Sequence, residues 1–186
     1  MSNATNEISI VIGSWGSYNE CNARACGSRW FDLSDFDEWD DIEAELKAQG
    51  FELDGMDEEL FIQDIENLPS SAANWDYMNP ERLFETLKLS DVLDDVCQYD
   101  LLEAFLEVRD FDDFMQLVND HGPRWGDDII LYRNYDWEDY GREMFSACGN
   151  RIDEGLEYFF DFEAYGKYIG SDYCEEYSGG LIEVLR

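Results

Sequence analysis

Residues 35–49 place a narrow apolar stripe opposite a row of carboxylates. At about 100° per residue, the apolar face of a helix here carries four side chains: Phe36, Trp39, Ile42 and Leu46. The opposite face carries three acids: Asp37, Asp41 and Glu45. Like charges four residues apart destabilise an isolated helix by roughly 0.2 to 0.5 kcal/mol per pair. The pattern predicts an amphipathic helix, ended by Gly50, whose acidic face was not selected for helix stability.

The same excess of acids runs along the whole chain. Asp and Glu number 45 against 12 Lys and Arg, which gives a formal net charge of -33. Residues 31–66 hold 15 acids and one base, residues 81–120 hold 12 and 3, and residues 127–163 hold 11 and 3. Such a charge repels nucleic acid and anionic membranes, so neither is a predicted ligand and the predicted partner is positively charged. Duplex DNA about 55 Å long carries as many charges.

An ordered, aromatic-rich interior is also predicted. Disordered acidic chains have few aromatics, whereas this chain has 6 Trp, 11 Tyr and 12 Phe. Its apolar content of 45% over 186 residues is enough for one sizeable domain or for two to three small ones. The carboxylates therefore belong to the surfaces of folded elements.

Catalysis, a metal and a cofactor are not predicted. Cys21 and Cys26 are close enough in sequence to suggest a metal site with Cys148 or Cys174, but a second close pair is missing, so free thiols are favoured. The single His121 stands before Gly-Pro and is typical of a helix end. Phosphate loops, nucleophile elbows and two-histidine metal motifs are missing. With five Cys, no signal region and no run of 18 apolar residues, a cytoplasmic protein is expected.

Residues 1–67 are predicted to form an α+β domain. The β-branched run 8–12 is typical of a strand, residues 14–27 of a long loop, and residues 30–33 of a second short strand before the helix. Residues 60–65 complete a small antiparallel sheet.

Residues 68–123 are predicted to form a helical bundle. After a loop over 68–78, Asn79-Pro80 is a cap and first-turn signal. Apolar spacing then predicts four short helices, with Ser90 capping the second and Asp110 or Asp112 starting the fourth. His121-Gly122-Pro123 ends the last one.

Residues 124–186 are predicted to form a second α+β domain. A strand over 129–132, a helix over 137–148 and a last strand over 180–185 frame an unusual aromatic stretch at 155–169. Tyr140, Met144 and Phe145 are the inward-facing candidates of the helix. The fold class is thus α+β with three small domains.

Three stretches resemble the ArdA family of antirestriction proteins. Tyr158 and Phe159 lead into Asp-Phe-Glu-Ala-Tyr-Gly-Lys at 161–167, the family's aromatic pair followed by Asp-aromatic-Glu-Ala-aromatic-Gly-basic. Tyr18-Asn19, Gly27 and residues 30–33 are similar to its opening segment, and residues 58–66 to its acidic third strand. The resemblance spans the whole length in the same order.

The resemblance implies a function as well as a fold. ArdA proteins are elongated, three-domain, dimeric mimics of bent B-form DNA that are carried by mobile elements. They competitively occupy the DNA-binding groove of type I restriction-modification enzymes, at the methyltransferase core, and catalyse nothing. This implies that the present chain is an inhibitor, and a homodimer.

Ten carboxylates are the candidate contacts with such an enzyme: Asp37, Asp41, Glu45, Glu58, Glu59, Glu66, Glu103, Glu107, Asp161 and Glu163. On one helix face, carboxylates repeat every ~6 Å, close to the phosphate spacing along a nucleic-acid strand. Two alternatives stay open. The chain could be an acidic binding module for another basic DNA-binding protein, or an ordinary protein whose acids serve hydration at high salt.

Overall fold

Helices and two separate antiparallel sheets make up the described chain, so the predicted α+β class is confirmed. The structure is a computed structural model that describes residues 8–68, 74–153 and 155–185. The chain divides into two compact units, Met1–Trp125 and Gly126–Arg186. The predicted further division of the first unit, between residues 67 and 68, stays a prediction.

The first sheet has three strands in the order β2-β1-β3: β1 (Ser9–Ser14), β2 (Phe31–Asp32) and β3 (Leu60–Glu66). All three predicted strands of this unit are confirmed, and β1 is buried along almost its whole length. The predicted loop over 14–27 is partly wrong, because it begins with a short helix, α1 (Trp15–Asn19). The Ser14 side chain caps α1 by accepting a hydrogen bond from the Ser17 N–H.

The amphipathic helix α2 spans Trp39–Ala48 and begins four residues later than predicted. The preceding residues form a 3₁₀ turn, Leu33–Asp35, in which the Asp32 side chain accepts a hydrogen bond from the Ser34 N–H. Trp39, Ile42 and Leu46 are buried as predicted. The left-handed Gly50, at φ +90°, ends the helix region as predicted.

Three helices follow where four were predicted: α3 (Pro80–Leu89), α4 (Val96–Val108) and α5 (Phe111–His121). Asn79 caps α3 with Pro80 in the first turn, as predicted, and Asp110 caps α5. The prediction that Ser90 caps a helix is wrong. Its buried hydroxyl donates to the Leu87 carbonyl at the end of α3. Residues 69–73 of the predicted 68–78 loop lie outside the described residues.

The second unit pairs helices α6 (Trp137–Ala147) and α7 (Phe162–Gly170) with a sheet of order β4-β6-β5. Its strands are β4 (Ile129–Arg133), β5 (Cys174–Tyr177) and β6 (Gly180–Val184). The sequence analysis missed β5. Tyr140 is fully buried, whereas Met144 and Phe145 are half-buried.

Buried polar groups hold each unit together. In the first, the Asp57 carboxylate is fully buried and accepts hydrogen bonds from the Ser14 hydroxyl at 2.7 Å and from the Ser17 hydroxyl. It also accepts from the Glu52 N–H at 2.8 Å and pairs with Arg24 at 3.0 Å. This network ties β1 and α1 to the turn that leads into β3.

The second unit has its own buried polar contact. The Tyr140 hydroxyl donates to Glu183, a buried carboxylate on β6. Burial is the largest cause that raises the pKa of Tyr140, and the neighbouring Glu183 adds to it. Cys174 lies in the same core, and burial raises the pKa of its thiol to about 12. The thiol is therefore protonated at neutral pH.

Candidate partner-binding surface

The acidic face of α2 is shorter than predicted. Asp41 and Glu45 lie on the helix, but Asp37 is exposed in the bend that precedes it. Glu45 is not a free carboxylate, because Arg29 contacts it at 2.5 Å. The predicted row of three acids is therefore two acids on the helix and one before it.

Glu58, Glu59 and Glu66 are all exposed, but they stand at opposite ends of β3. At about 3.3 Å per residue, the seven steps from Glu59 to Glu66 span about 23 Å. Glu59 is held in place because its carbonyl accepts a hydrogen bond from the Trp15 N–H at 3.0 Å. Glu66 pairs with Ser9 at the far end of the sheet. The strand thus holds Glu59 and Glu66 at a fixed distance from each other.

Glu103 and Glu107 are exposed one turn apart on α4, as predicted. The helix is fixed to the end of β3 because the Tyr99 hydroxyl donates to the Asn67 carbonyl at 2.6 Å. Burial raises the pKa of Tyr99 to about 12, and the charges of Glu103 and Asp100 add to this shift. Tyr99 therefore stays a neutral donor under the acidic face.

Asp161 and Glu163, the two candidates of the second unit, are exposed but already make local contacts. Asp161 caps α7, since its carboxylate accepts a hydrogen bond from the Ala164 N–H at 2.9 Å. Glu163 contacts Lys167 at 2.6 Å, one turn along the helix. Any contact that these two make with a partner competes with their structural roles.

Four carboxylates that the sequence analysis did not select come together between α2 and α3; we refer to Asp40, Glu43, Glu81 and Glu85 as the α2–α3 cluster. Partial burial is the largest cause that raises the pKa of Glu81, and the charges of Glu85, Glu43 and Asp40 raise it further. The two helices meet where the rings of Trp39 and Phe84 lie 6.2 Å apart. Lys47 contacts Glu43 at 2.9 Å and offsets one of the four charges.

The sequence shows the pair of acids on each helix of the α2–α3 cluster but not the approach of the two pairs. Glu81 and Glu85 are one helical turn apart, a spacing that can be counted directly. Their approach to Asp40 and Glu43 depends on α2 packing against α3, and those helices are separated by β3 and about 30 residues of chain. No local pattern encodes that contact.

Several of the chain's few cations are committed to internal ion pairs. Besides the contacts already described, Lys88 lies 3.9 Å from Asp94, and Arg142 contacts both Glu138 and Glu157. Arg142 also lies over the Phe162 ring, 4.2 Å from its centroid. These cations neutralise acids in place and leave the remaining carboxylates to face outward.

The described residues contain neither a cluster of His, Cys, Asp and Glu able to hold a metal nor a helix long and apolar enough to cross a membrane. The five cysteines are free, with Cys174 buried and the other four exposed. His121 is exposed at the C-terminal end of α5, the position that the sequence predicts.

Comparison with known families shows to which family the chain belongs. The family described as "Antirestriction protein (ArdA)" matches residues 10–183 of the 186-residue chain. The chain belongs to the ArdA family. The match covers both units, and it supports an antirestriction function that involves restriction-modification enzymes. Comparison with curated proteins found no match.

The 161–167 motif, which carries the resemblance to ArdA proteins, has structural roles in this chain. Asp161 is the cap of α7, and Gly166 lies where α7 crosses α6. The motif in this ArdA chain therefore encodes the start of a helix and its close packing. The Asp161 carboxylate serves this role directly, as the cap.

Proposed function

We propose that this ArdA protein inhibits type I restriction-modification enzymes by occupying the DNA-binding groove of their methyltransferase core in place of bent B-form DNA. The observation that carries the proposal is the placement of exposed carboxylates on ordered helices and strands of both units. A groove that binds DNA is lined with Lys and Arg that neutralise phosphates. Carboxylates on a rigid frame offer these cations equivalent partners without the entropy cost of ordering a flexible chain.

The α2–α3 cluster also supports this mechanism, because its support comes from where the carboxylates lie and not from their number. Burial raises the pKa of Glu81 most, and the charges of Glu85 on the same helix and of Glu43 and Asp40 on α2 raise it further. Such crowding is unfavourable for the isolated protein and becomes favourable when a cationic partner neutralises it. The same charges attract the enzyme over a distance and so increase the association rate.

A competition experiment tests the proposal. The protein is titrated against a purified type I methyltransferase bound to labelled DNA at 0.1 M salt, and its inhibition constant is measured. We expect competition with DNA. Single Asp→Asn or Glu→Gln changes at exposed sites should change the constant by less than about threefold, since the contacts are many and individually weak. Loss of inhibition from one such change would contradict a distributed mechanism.

A variant with several neutralised carboxylates should show a clear loss of inhibition. Neutralising five carboxylates of the first unit for which the structure gives no ion pair should weaken inhibition by at least tenfold: Asp41, Glu58, Glu59, Glu66 and Glu103. The matched control is Arg29→Gln, which removes a cation and frees Glu45. It should leave inhibition unchanged or stronger. Equal weakening by the control and by the fivefold variant would point to damage to the fold.

An assay in cells separates this function from the alternatives. Cells that carry a type I system are infected with unmodified phage, with and without the protein. Protection of the phage is expected. A folded protein that gives no protection would favour an acidic module for another basic DNA-binding protein, and a need for molar salt would favour adaptation to high salt. This assay requires the protein to act in the cytoplasm.

We also propose that the protein is a homodimer joined through its second unit. The large apolar side chains exposed there include Leu156, Tyr158, Phe159 and Tyr168. Exposed clusters of this kind mark interaction surfaces. Sedimentation of the wild type should give a dimer of the 21.7 kDa chain, and Tyr158→Ser with Phe159→Ser should give a monomer. A monomeric wild type would contradict this.

A further inference from the structure

Four aromatic rings pack together where α1 meets β3; we call Trp15, Tyr18, Phe61 and Tyr77 the Trp15 patch. Trp15 and Phe61 are stacked, with centroids 4.2 Å apart and an interplanar angle of 21°. Tyr18 stands perpendicular to both rings, at 88° and about 6 Å. Tyr77 lies 6.4 Å from Trp15. The rings thus contact one another, and the buried Phe61 anchors them to the core of the first unit.

The two tyrosines of the patch face solvent. Tyr18 is 54% exposed and Tyr77 is 80% exposed, and the neighbouring Met56 is 45% exposed. Phe61 is buried and Trp15 is half-buried, so the stacked pair forms the base and the tyrosines form the rim. A single exposed tyrosine needs no explanation, but two on a packed aromatic base form a binding platform.

Three exposed carboxylates are close in sequence to residues of this patch. Glu58 and Glu59 precede β3, and the Glu59 carbonyl is bonded to the Trp15 N–H. Glu20 ends α1, two residues after Tyr18. All three side chains are exposed. The electrostatic field at the patch therefore favours a cationic occupant.

On its other side, Tyr77 borders a groove that is also acidic. Asp110 and Asp112, at the start of α5, line this groove together with Tyr77 and Arg82. Arg82 is the one cation among the lining residues. Tyr77 thus has acids on both sides.

Arg24, the cation beside Met56 next to this patch, is already engaged. Arg24 passes 3.9 Å from the Met56 sulfur, but its guanidinium is paired with the buried Asp57. Where the described residues make cation–π contacts, the rings are those of Phe31 and Phe162. The faces of Tyr18 and Tyr77 are therefore left for a cation from outside.

We propose that Tyr18 and Tyr77 bind an arginine side chain of the cationic protein surface that this inhibitor covers. The proposal rests on the proposed function, because it takes the partner to be an enzyme whose groove carries arginines. A guanidinium stacks on aromatic faces while it pairs with carboxylates, and an ammonium does this less well. The contact would give the complex a fixed register, which a set of interchangeable charge pairs does not supply.

The experiment compares three kinds of variant in the same competition assay with a type I methyltransferase and DNA. Tyr18→Leu with Tyr77→Leu keeps apolar area but removes the π faces, and should weaken inhibition by roughly 5- to 30-fold. Tyr18→Phe with Tyr77→Phe keeps the faces and should inhibit like the wild type. Leu89→Ser with Val96→Ser, two exposed apolar residues of the same unit, is the control and should have no effect.

Salt separates this contact from the carboxylate contacts. The loss caused by Tyr→Leu should persist at 0.3 M salt, whereas the loss caused by neutralising acids should shrink as charges are screened. Urea unfolding checks that each variant is folded, and the single Tyr77→Leu change replaces the double variant if the latter is not.

Each result decides the proposal. A leucine variant that inhibits like the wild type overturns it, and so does a phenylalanine variant as weak as the leucine variant, since the hydroxyls would then matter. In both cases the wild type still inhibits, so the proposed function stands. A wild type that fails to compete with DNA overturns the proposed function, and this inference with it.

Discussion

Asp57 is one acid of the chain whose role is internal and structural. Burial alone would raise the pKa of this carboxyl. Hydrogen bonds from Ser17, the Glu52 N–H and Ser14, together with the charge of Arg24, outweigh burial and lower the pKa below its ordinary value of 3.8. The ionised carboxylate therefore stabilises the fold. It fixes the turn from which the exposed carboxylates before β3 project.

We expect Asp57→Asn to reduce the free energy of unfolding by about 3 kcal/mol, because the change leaves Arg24 and the two hydroxyls without their charged acceptor. Urea unfolding at pH 7 measures this. The matched control is Asp54→Asn, an exposed acid three residues earlier, which should change stability by less than about 0.5 kcal/mol. Similar losses for both variants would contradict a special role for Asp57.

The same network makes a prediction about pH. The pKa of Asp57 is lower in the folded state than in the unfolded state, so its contribution is fully present above the unfolded value and is lost as the pH falls through the folded value. The stability difference between wild type and Asp57→Asn should be constant from pH 7 to pH 5. It should shrink below about pH 4. Urea midpoints at pH 7, 5 and 3 check this, and a gap that widens in acid would refute it.

At the scale of the elements, the α6–α7 pair depends on two glycines. A Cβ added at Gly141 would lie 1.9 Å from the Phe162 carbonyl oxygen, and one at Gly166 would lie 2.3 Å from the Trp137 carbonyl oxygen. Side chains of any size at these positions would force the helices apart. This close approach explains the glycine within the 161–167 motif, which carries the family resemblance.

Gly166→Ala should therefore destabilise the second unit by about 2 kcal/mol or more, because backbone atoms of α6 must move. Chemical denaturation followed by tryptophan fluorescence, to which Trp137 of this unit contributes, measures the loss. Gly155→Ala is the control, since a Cβ there meets nothing within 4 Å. Equal stability of the two variants would show that the helices can separate without cost.

The elements that the sequence predicted best carry strong local signals. The apolar stripe of α2, the Asn79-Pro80 cap and the β-branched run of β1 are of this kind. Ser90 misled the prediction because apolar residues follow it at helical spacing, but Asp91 turns the chain with φ +60° and Asp95 caps α4 instead. Strand β5 was missed because its sequence, CEEY, becomes a strand through pairing with β6.

The candidate surface, too, could be predicted only in part. Exposure of the selected acids could be predicted, since charged side chains on helix faces and strand ends stay in water. Their grouping could not, because it depends on packing between elements that are distant in sequence. The α2–α3 cluster and the Trp15 patch both arise from such contacts.

At the scale of the whole molecule, the net charge of -33 acts in opposite directions on folding and on binding. Mutual repulsion of carboxylates opposes the compact state, while the same carboxylates attract a cationic partner. Salt screens both effects over about 10 Å at 0.1 M. Added salt should therefore stabilise the protein and weaken its inhibition together.

We expect the melting temperature to rise by several degrees between 0.02 and 0.3 M NaCl, measured by calorimetry at pH 7, while the inhibition constant worsens over the same range. The variant with five neutralised carboxylates should show a smaller rise and a shallower loss, because fewer charges remain to be screened. Ordinary surface ion pairs predict the reverse sign for stability, since salt weakens them. A melting temperature that stays flat or falls would mean that the carboxylates do not repel one another in the folded protein. A cationic partner would then gain nothing by relieving such repulsion.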